Sequence, residues 1–397
     1  MIHRKTIIVL LGLLIICCTS NECFAENGNI DISNEILNEY ADSYGDLIND
    51  NLESLDGGNP LKNISDDISV KELFKEIIGG RLSLSPKEIV HSLVKAGLDE
   101  VYVCLKFMAL ITALAVLCSY LTGLKDGFGE NGVSTAAFYI CYIVIASVAS
   151  AAFYRACDCV SSTVENISVF MKMIVPVVIT TLVSSGAVVS ASVFEPVLIT
   201  IVEISVTVIE SVLIPLVMVT AAMNIVNNVS DRFKTQKMTN FINKCVKWGL
   251  CILLTIFVST AGIQSIAASG ADGLTVKLTK FAASNLIPVV GGILSESVET
   301  VMNCSVLIKN SVGIIGIICL VATAAFPLIK IAAILIIFRL TAGIAEPISE
   351  PKIISCITEI ANSISLLFSM LAASTVMFII VLTVVINAGN TVIMLGR

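Results

Sequence analysis

The sequence predicts an all-α, polytopic transmembrane helical bundle with a small helical extracytoplasmic segment at its N-terminus. Three observations predict it. Hydrophobic residues make up 56% of the 397 and charged residues only 14%, against roughly a quarter charged in a soluble domain. The acidic charge crowds one end: residues 26–100 hold sixteen Asp/Glu and six Lys/Arg, whereas residues 101–397 hold fourteen and sixteen. From residue 101 onward the chain is a succession of apolar runs, most of them near the roughly 20 residues that a helix needs to cross hydrocarbon.

Residues 1–25 read as a signal peptide. Arg4 and Lys5 supply a basic start, Ile7–Ile16 an apolar stretch too short to span a bilayer, and Cys23-Phe24-Ala25 small residues at the cleavage positions. Bulky Ile15 and Ile16 before Cys17 argue against a lipid-modified cysteine. The acidic segment 26–100 is then extracytoplasmic. Ile32, Ile36, Leu37, Tyr40, Tyr44, Leu47 and Ile48 recur at helical spacing. Ser69 and Glu72 are spaced as a capping box, and Gly79-Gly80 ends that helix. Ser85-Pro86-Lys87-Glu88 starts a stronger one that runs into the membrane.

The membrane domain, 101–397, contains eight apolar runs: Val101–Leu124, Val133–Tyr154, Ile167–Phe194, Val197–Val226, Val246–Ala268, Val306–Phe326, Leu328–Ala345 and Ile364–Ala388. Asp231–Lys247 is the most basic loop, with Arg232, Lys234, Lys237, Lys244 and Lys247, and the positive-inside rule places it in the cytoplasm. Eight single crossings from an outside start would put it outside. A re-entrant Ile167–Phe194, interrupted by Pro176, Gly186 and serines, removes the conflict. That topology leaves Glu346–Glu359 outside and Arg397 inside. Matches at offsets of 109–112 residues (Pro176 with Pro288, Val197 with Val306, Pro215 with Pro327, Cys245 with Cys356) raise the expectation of an internal repeat, about 165–268 and 277–388. A repeat would put a proline-broken segment in each half, as in transport pathways; prolines that merely kink ordinary spans are the plainer reading.

Charges inside apolar runs are the candidate functional residues. Lys172, Glu203, Glu210 and Lys309 form either a polar path or interhelical pairs, and Glu203 and Glu210, seven apart, share one helix face. Lys106, Lys330 and Arg339 read as pairing or snorkelling residues. Pro176, Pro288, Gly291 and Gly292 are the candidate broken-helix positions, since proline lacks an amide proton and paired glycines favour a bend. Catalysis has no support. His3 and His91 cannot build a metal centre, Cys157 and Cys159 in a loop lack further zinc ligands, and no P-loop, nucleophile elbow or zincin motif occurs. No enzyme activity and no cofactor are expected. No dense basic stripe suits nucleic acid.

The runs Ile287-Pro-Val-Val-Gly-Gly292, Leu294-Ser-Glu-Ser-Val-Glu-Thr-Val301 and Val306-Leu-Ile-Lys-Asn310, with the capped helix at Leu84-Ser-Pro-Lys-Glu-Ile89, resemble the stage III sporulation protein AE family of endospore-forming bacteria. The resemblance covers essentially the whole chain. It implies a multi-pass protein of the mother-cell membrane around the forespore, in a multiprotein channel or secretion-like complex. Its partners would be the other sporulation membrane proteins of that complex, and the lipid bilayer. The family offers no catalytic residues to transfer. The alternative is a self-contained secondary transporter with intramembrane Glu/Lys sites.

Overall fold

The computed structural model describes ten scattered residues between Ser43 and Ile77 and the stretches 86–123, 131–229, 235–286 and 291–396. Seven α-helices fill these: α1 (Pro86–Gly123), α2 (Asn131–Ser184), α3 (Val188–Val208), α4 (Ile214–Val229), α5 (Gln236–Leu286), α6 (Gly291–Ala345) and α7 (Pro351–Gly396). A π turn, Ile209–Leu213, carries α3 into α4 without a break, so the chain builds six long rods. Six stretches are long and apolar enough to cross a membrane: Glu100–Tyr120, Phe138–Ser184, Val188–Asn228, Gln236–Thr260, Cys304–Ala345 and Pro351–Asn387. No strand occurs among the described residues. The protein is a polytopic all-α bundle.

Six rods replace the eight runs for two reasons. Val133–Tyr154 and the first part of Ile167–Phe194 belong to one 54-residue helix, α2, which continues through Pro176 and through the polar stretch 155–166. Cys157 and Cys159 therefore lie on a helix, Cys157 buried, and not in a loop. Likewise Val306–Phe326 and Leu328–Ala345 join in the 55-residue α6, with Pro327 inside it. Proline removes one helical donor and crowds the preceding turn, but surrounding helices hold each of these rods straight enough to continue.

Ile167–Phe194 is not re-entrant. Its break falls ten residues after Pro176, at Gly186, whose φ of 88° is left-handed and favours glycine. Gly186 N–H donates to Val183 O (2.9 Å) and Ala187 N–H to Leu182 O (3.2 Å), the two bonds of a Schellman motif. Leu182 and Ala187, fully buried, supply its apolar contact.

Short connections between long rods in contact oblige antiparallel neighbours. The rod ends at 123 and 131, at 229 and 236, and at 345 and 351 then gather at one end, here the lower end, and those at 184 and 188 and at 286 and 291 at the upper. Cross-links agree at the lower end: Tyr142 Oη donates to Ile225 O (2.8 Å), Asn224 Nδ2 to Glu359 Oε2 (3.3 Å), and Gln236 Nε2 to Glu359 Oε1 (3.5 Å). Two expectations change. Glu359 touches residues flanking the basic segment, so Glu346–Glu359 and Asp231–Lys247 share a side and are not separated by the membrane. From 236 onward that basic segment is the opening of α5, with Lys237, Lys244 and Lys247 exposed on a helix. One crossing per rod puts it opposite the start of α1 with no re-entrant segment.

α6 and α7 pack on each other and form the centre, with α1 and α2 against α6, α2 and α5 against α7, and α3 against α2 and α5. Ile334 and Ile337 are buried in this core, while Ile336 between them is exposed. Pro86 opens α1 as its capping sequence predicts. Residues 1–25 and most of the acidic segment lie outside the described residues; Ile48, Leu52, Leu73 and Ile77, which are described, are buried. Alternate rods begin at 131, 236 and 351, roughly the period of the sequence matches. A helical hairpin of this length sets that period without duplication. Of the paired prolines, Pro176 lies inside α2, and Pro288 lies outside the described residues.

Candidate functional site

Charged side chains converge where α2 runs beside α3. Each helix offers two, seven residues apart and therefore on one face: Glu165 and Lys172 on α2, Glu203 and Glu210 on the α3 rod. The hairpin at Gly186 brings the two faces together. Lys172 Nζ forms an ion pair with Glu203 Oε2, with the two side chains 44% and 55% exposed. Glu165, Glu203 and Lys172 all lie close enough to Glu210 to act on it electrostatically. Two further carboxylates, Glu165 and Glu210, thus lie beside one ion pair. Exposed Val169, Val193, Ile204 and Val212 surround them, so the cluster is a polar island on an apolar exterior.

Glu210 sits in the π turn. There Ile214 N–H donates to Ile209 O, five residues back instead of four. Pro215, which follows directly, has no amide proton to donate and its ring would crowd the carbonyl of Ser211 in a regular helix. The widened turn accommodates it. One carboxylate oxygen of Glu210, Oε1, is buried with no hydrogen-bond partner among the described residues.

The height of the cluster follows from two contacts. Tyr142 meets Ile225. Thirteen residues up α2 from Tyr142 is Arg155, and fifteen residues back along the α3–α4 rod from Ile225 is Glu210, so these two are nearly level. Arg155 in turn stacks over the Phe107 ring of α1, 5.4 Å from its centroid, which brings neighbouring Lys106 to the same level.

The structure does not join Lys309 to this cluster. Lys309 is fully buried in the seam of α6 and α7, where Nζ donates to Ile386 O (2.6 Å). Close approach of these helices makes the contact possible: Gly313, one turn on, lies against Ile386, and an ideal Cβ on Gly316 would lie 3.6 Å from Leu382 Cδ1. Of the expected broken-helix residues, Pro176 lies within an unbroken helix and Gly291 and Gly292 open α6. The sequence reading missed Glu165, because the polar stretch around it read as a loop. Its seven-residue spacing from Lys172, matching that of Glu203 and Glu210, is the signal that finds it. Also missed was the lower-end network, in which Asn227 Nδ2 donates to Gln236 Oε1 (2.9 Å) and Gln236 to Glu359.

Known proteins share this chain's sequence over most of its length. The family model for stage III sporulation protein AE matches residues 68–389. The stage III sporulation protein AE of Bacillus subtilis (strain 168) is 32% identical over 327 residues, which is 82% of each chain. No solved structure matches.

Proposed function

The chain belongs to the stage III sporulation protein AE family, and from that premise we propose that it is a membrane subunit of a multiprotein, secretion-like channel complex connecting mother cell and forespore. A role in sporulation follows from the family, as does interaction with other sporulation proteins. One observation supports the subunit reading over a self-contained transporter: the placement of the charges. A carrier holds its polar binding groups in the interior, between the parts that rock against each other. Here the Lys172–Glu203 pair and Glu165 lie on the outer surface of the bundle, where they suit contact with other protein. Lys309, the interior charge, is engaged by a backbone carbonyl in a tightly packed seam.

The test is affinity purification of the tagged protein from sporulating cells in mild detergent. A stable set of other sporulation membrane proteins, recovered in fixed ratio, is the expected result. Recovery of this chain with no other sporulation protein refutes the subunit reading.

A further inference from the structure

We infer that the bundle associates head-to-tail with a second copy of itself, the outer face of α1 in one copy docking on the acidic α2–α3 face of the next. This goes beyond membership of a complex, because it names the neighbour and the residues that select it.

Both faces carry an exposed seam. On α1, Tyr102, Lys106, Ala109, Ala113, Val116 and Tyr120 follow one another at spacings of four and three, and all are exposed. That is the repeat by which one helix packs along another. The small Ala109 and Ala113 let a neighbouring backbone come close. An apolar groove of about 690 Å³ runs beside them, and the Thr112 hydroxyl in it has no hydrogen-bond partner among the described residues. On α3, Val193, Pro196, Thr200, Glu203, Thr207 and Glu210 repeat at three and four, with all but half-buried Glu210 exposed.

The charges of the two seams are complementary and stand at matching heights. Along α1 the register carries Lys95, Asp99 and Lys106, a net positive charge; the other face presents Glu203, paired with Lys172, and Glu210, with Glu165 beside them, a net negative one. α1 and α3 both run from the upper to the lower end, so two copies standing the same way up bring these helices together in parallel. Lys106 and Glu210 are then level, by the Arg155–Phe107 and Tyr142–Ile225 contacts. Lys95 lies about 16 Å above Lys106 and Glu203 about 10 Å above Glu210 at 1.5 Å per residue, a difference that a lysine side chain spans. The pairing sets the carboxylates of this face against a counter-charge. Because the two faces differ, the contact is heterologous, and repetition of it closes into a ring or extends into a filament.

Charge exchange tests this on the purified chain alone, so failure here leaves the proposed place in a complex untouched. Two differently tagged copies are co-expressed, extracted in mild detergent and pulled down through one tag. Wild-type copies should recover each other. Glu210→Lys paired with itself, and Lys106→Glu paired with itself, should each lose recovery about tenfold or more, because like charges then face each other. Glu210→Lys paired with Lys106→Glu should restore it, and that rescue also shows both variants fold. Absence of wild-type association, undiminished association of either variant with itself, or no rescue between two variants that remain helical and monodisperse overturns the proposal. Glu210→Gln supplies a second measurement should a charge reversal fail to fold. Wild-type association should weaken with rising salt and that of Glu210→Gln should respond less; equal salt response in both refutes the pairing.

Discussion

Replacing Gly313 by alanine tests the close approach of α6 to α7. A Cβ at this position would overlap Cγ1 and Cδ1 of Ile386 and come within 3.7 Å of its Cβ. Because Cγ1 is the branch atom nearest the α7 backbone, a turn of the terminal methyl alone gives no relief; Ile386 must change rotamer or α7 must shift. Overpacking of this kind costs about 1–3 kcal/mol, while exchanging glycine for alanine in a helix returns up to about 1 kcal/mol. The net loss is roughly 0–2 kcal/mol. Gly343, also in α6, has nothing within 4 Å of its Cβ position, so Gly343→Ala keeps the propensity gain without the clash. Ile386→Ala removes the obstructing atoms, and Gly313→Ala added to that background should stabilise. The assay is thermal unfolding of detergent-solubilised protein, where about 1 kcal/mol moves the midpoint of a chain this long by roughly 1 °C. Gly313→Ala should melt below wild type, Gly343→Ala at or above it, and the double variant above Ile386→Ala alone. Equal midpoints for Gly313→Ala and Gly343→Ala, or no recovery in the Ile386→Ala background, refute the packing argument.

Cysteines introduced in a cysteine-free background at Lys237 and Glu346, both exposed, should be labelled from the same, cytoplasmic, side, and one at Ser184 from the opposite side; opposite labelling of the first two would refute the alternating six-rod topology. Gly186→Ala forces an alanine to a φ of 88° at a cost of about 1–2 kcal/mol, so its melting midpoint should fall by about 1–2 °C, and an unchanged midpoint would count against the Schellman turn. Replacing Glu203 and Glu210 together with glutamine should lower spore yield at normal protein abundance, because the face loses its charge but not its shape; full yield removes the case for that face. Gly291→Leu and Gly292→Leu, at the opening of α6, should reduce spore yield and complex recovery more than Ile140→Ala on an exposed face of α2, and wild-type yield in both glycine variants discards that motif.

Hydrophobic runs revealed which residues form helices but not how many rods they make. A run of apolar residues looks the same whether lipid or protein covers it. The stretch around Ile167–Leu182 reads as a span of its own, yet Ile167, Met171, Ile174, Val178 and Leu182 are all buried against other helices. Arg155–Asn166 reads as a connecting loop, yet a helix tolerates it because its polar members, Arg155, Asp158 and Glu165, turn outward. Proline misled in the same way. The interruption was expected at Pro176, but the turn needs a left-handed residue, which Gly186 supplies and proline cannot. The candidate charges were legible because each is costly in an apolar run. Their partners were not: seven-residue spacing identifies a shared face, but only the hairpin decides that Lys172 meets Glu203, and nothing in the spacing of Lys309 announces a carbonyl on α7 as its partner.

Helix length and exposure together indicate where the bilayer meets the rods. At 1.5 Å per residue the 54 residues of α2 extend about 80 Å, far beyond a hydrocarbon core of about 30 Å. On α2 the bulkiest exposed apolar groups lie in the lower part, at Tyr139, Ile140, Ile143 and as far up as Tyr154, with only Val169 and Val183 exposed among the large apolar side chains above. Above it come exposed Arg155 and Asp158, and Lys106 and Glu210 stand level with Arg155 on the neighbouring rods. Charges at one height on three neighbouring rods, over an apolar stretch about 25 Å deep from Phe138 to Tyr154 at helical rise, suit the edge of a bilayer. Glu203, Glu165 and Lys172 then project beyond it on the side away from the basic opening of α5. That position explains how an ion pair half exposed to its surroundings persists on the outside of a membrane protein: it escapes the cost of charge in hydrocarbon. It also allows Lys106 and Glu210 of adjacent copies to select each other at the membrane surface, where electrostatic complementarity works without burying unpaired charge.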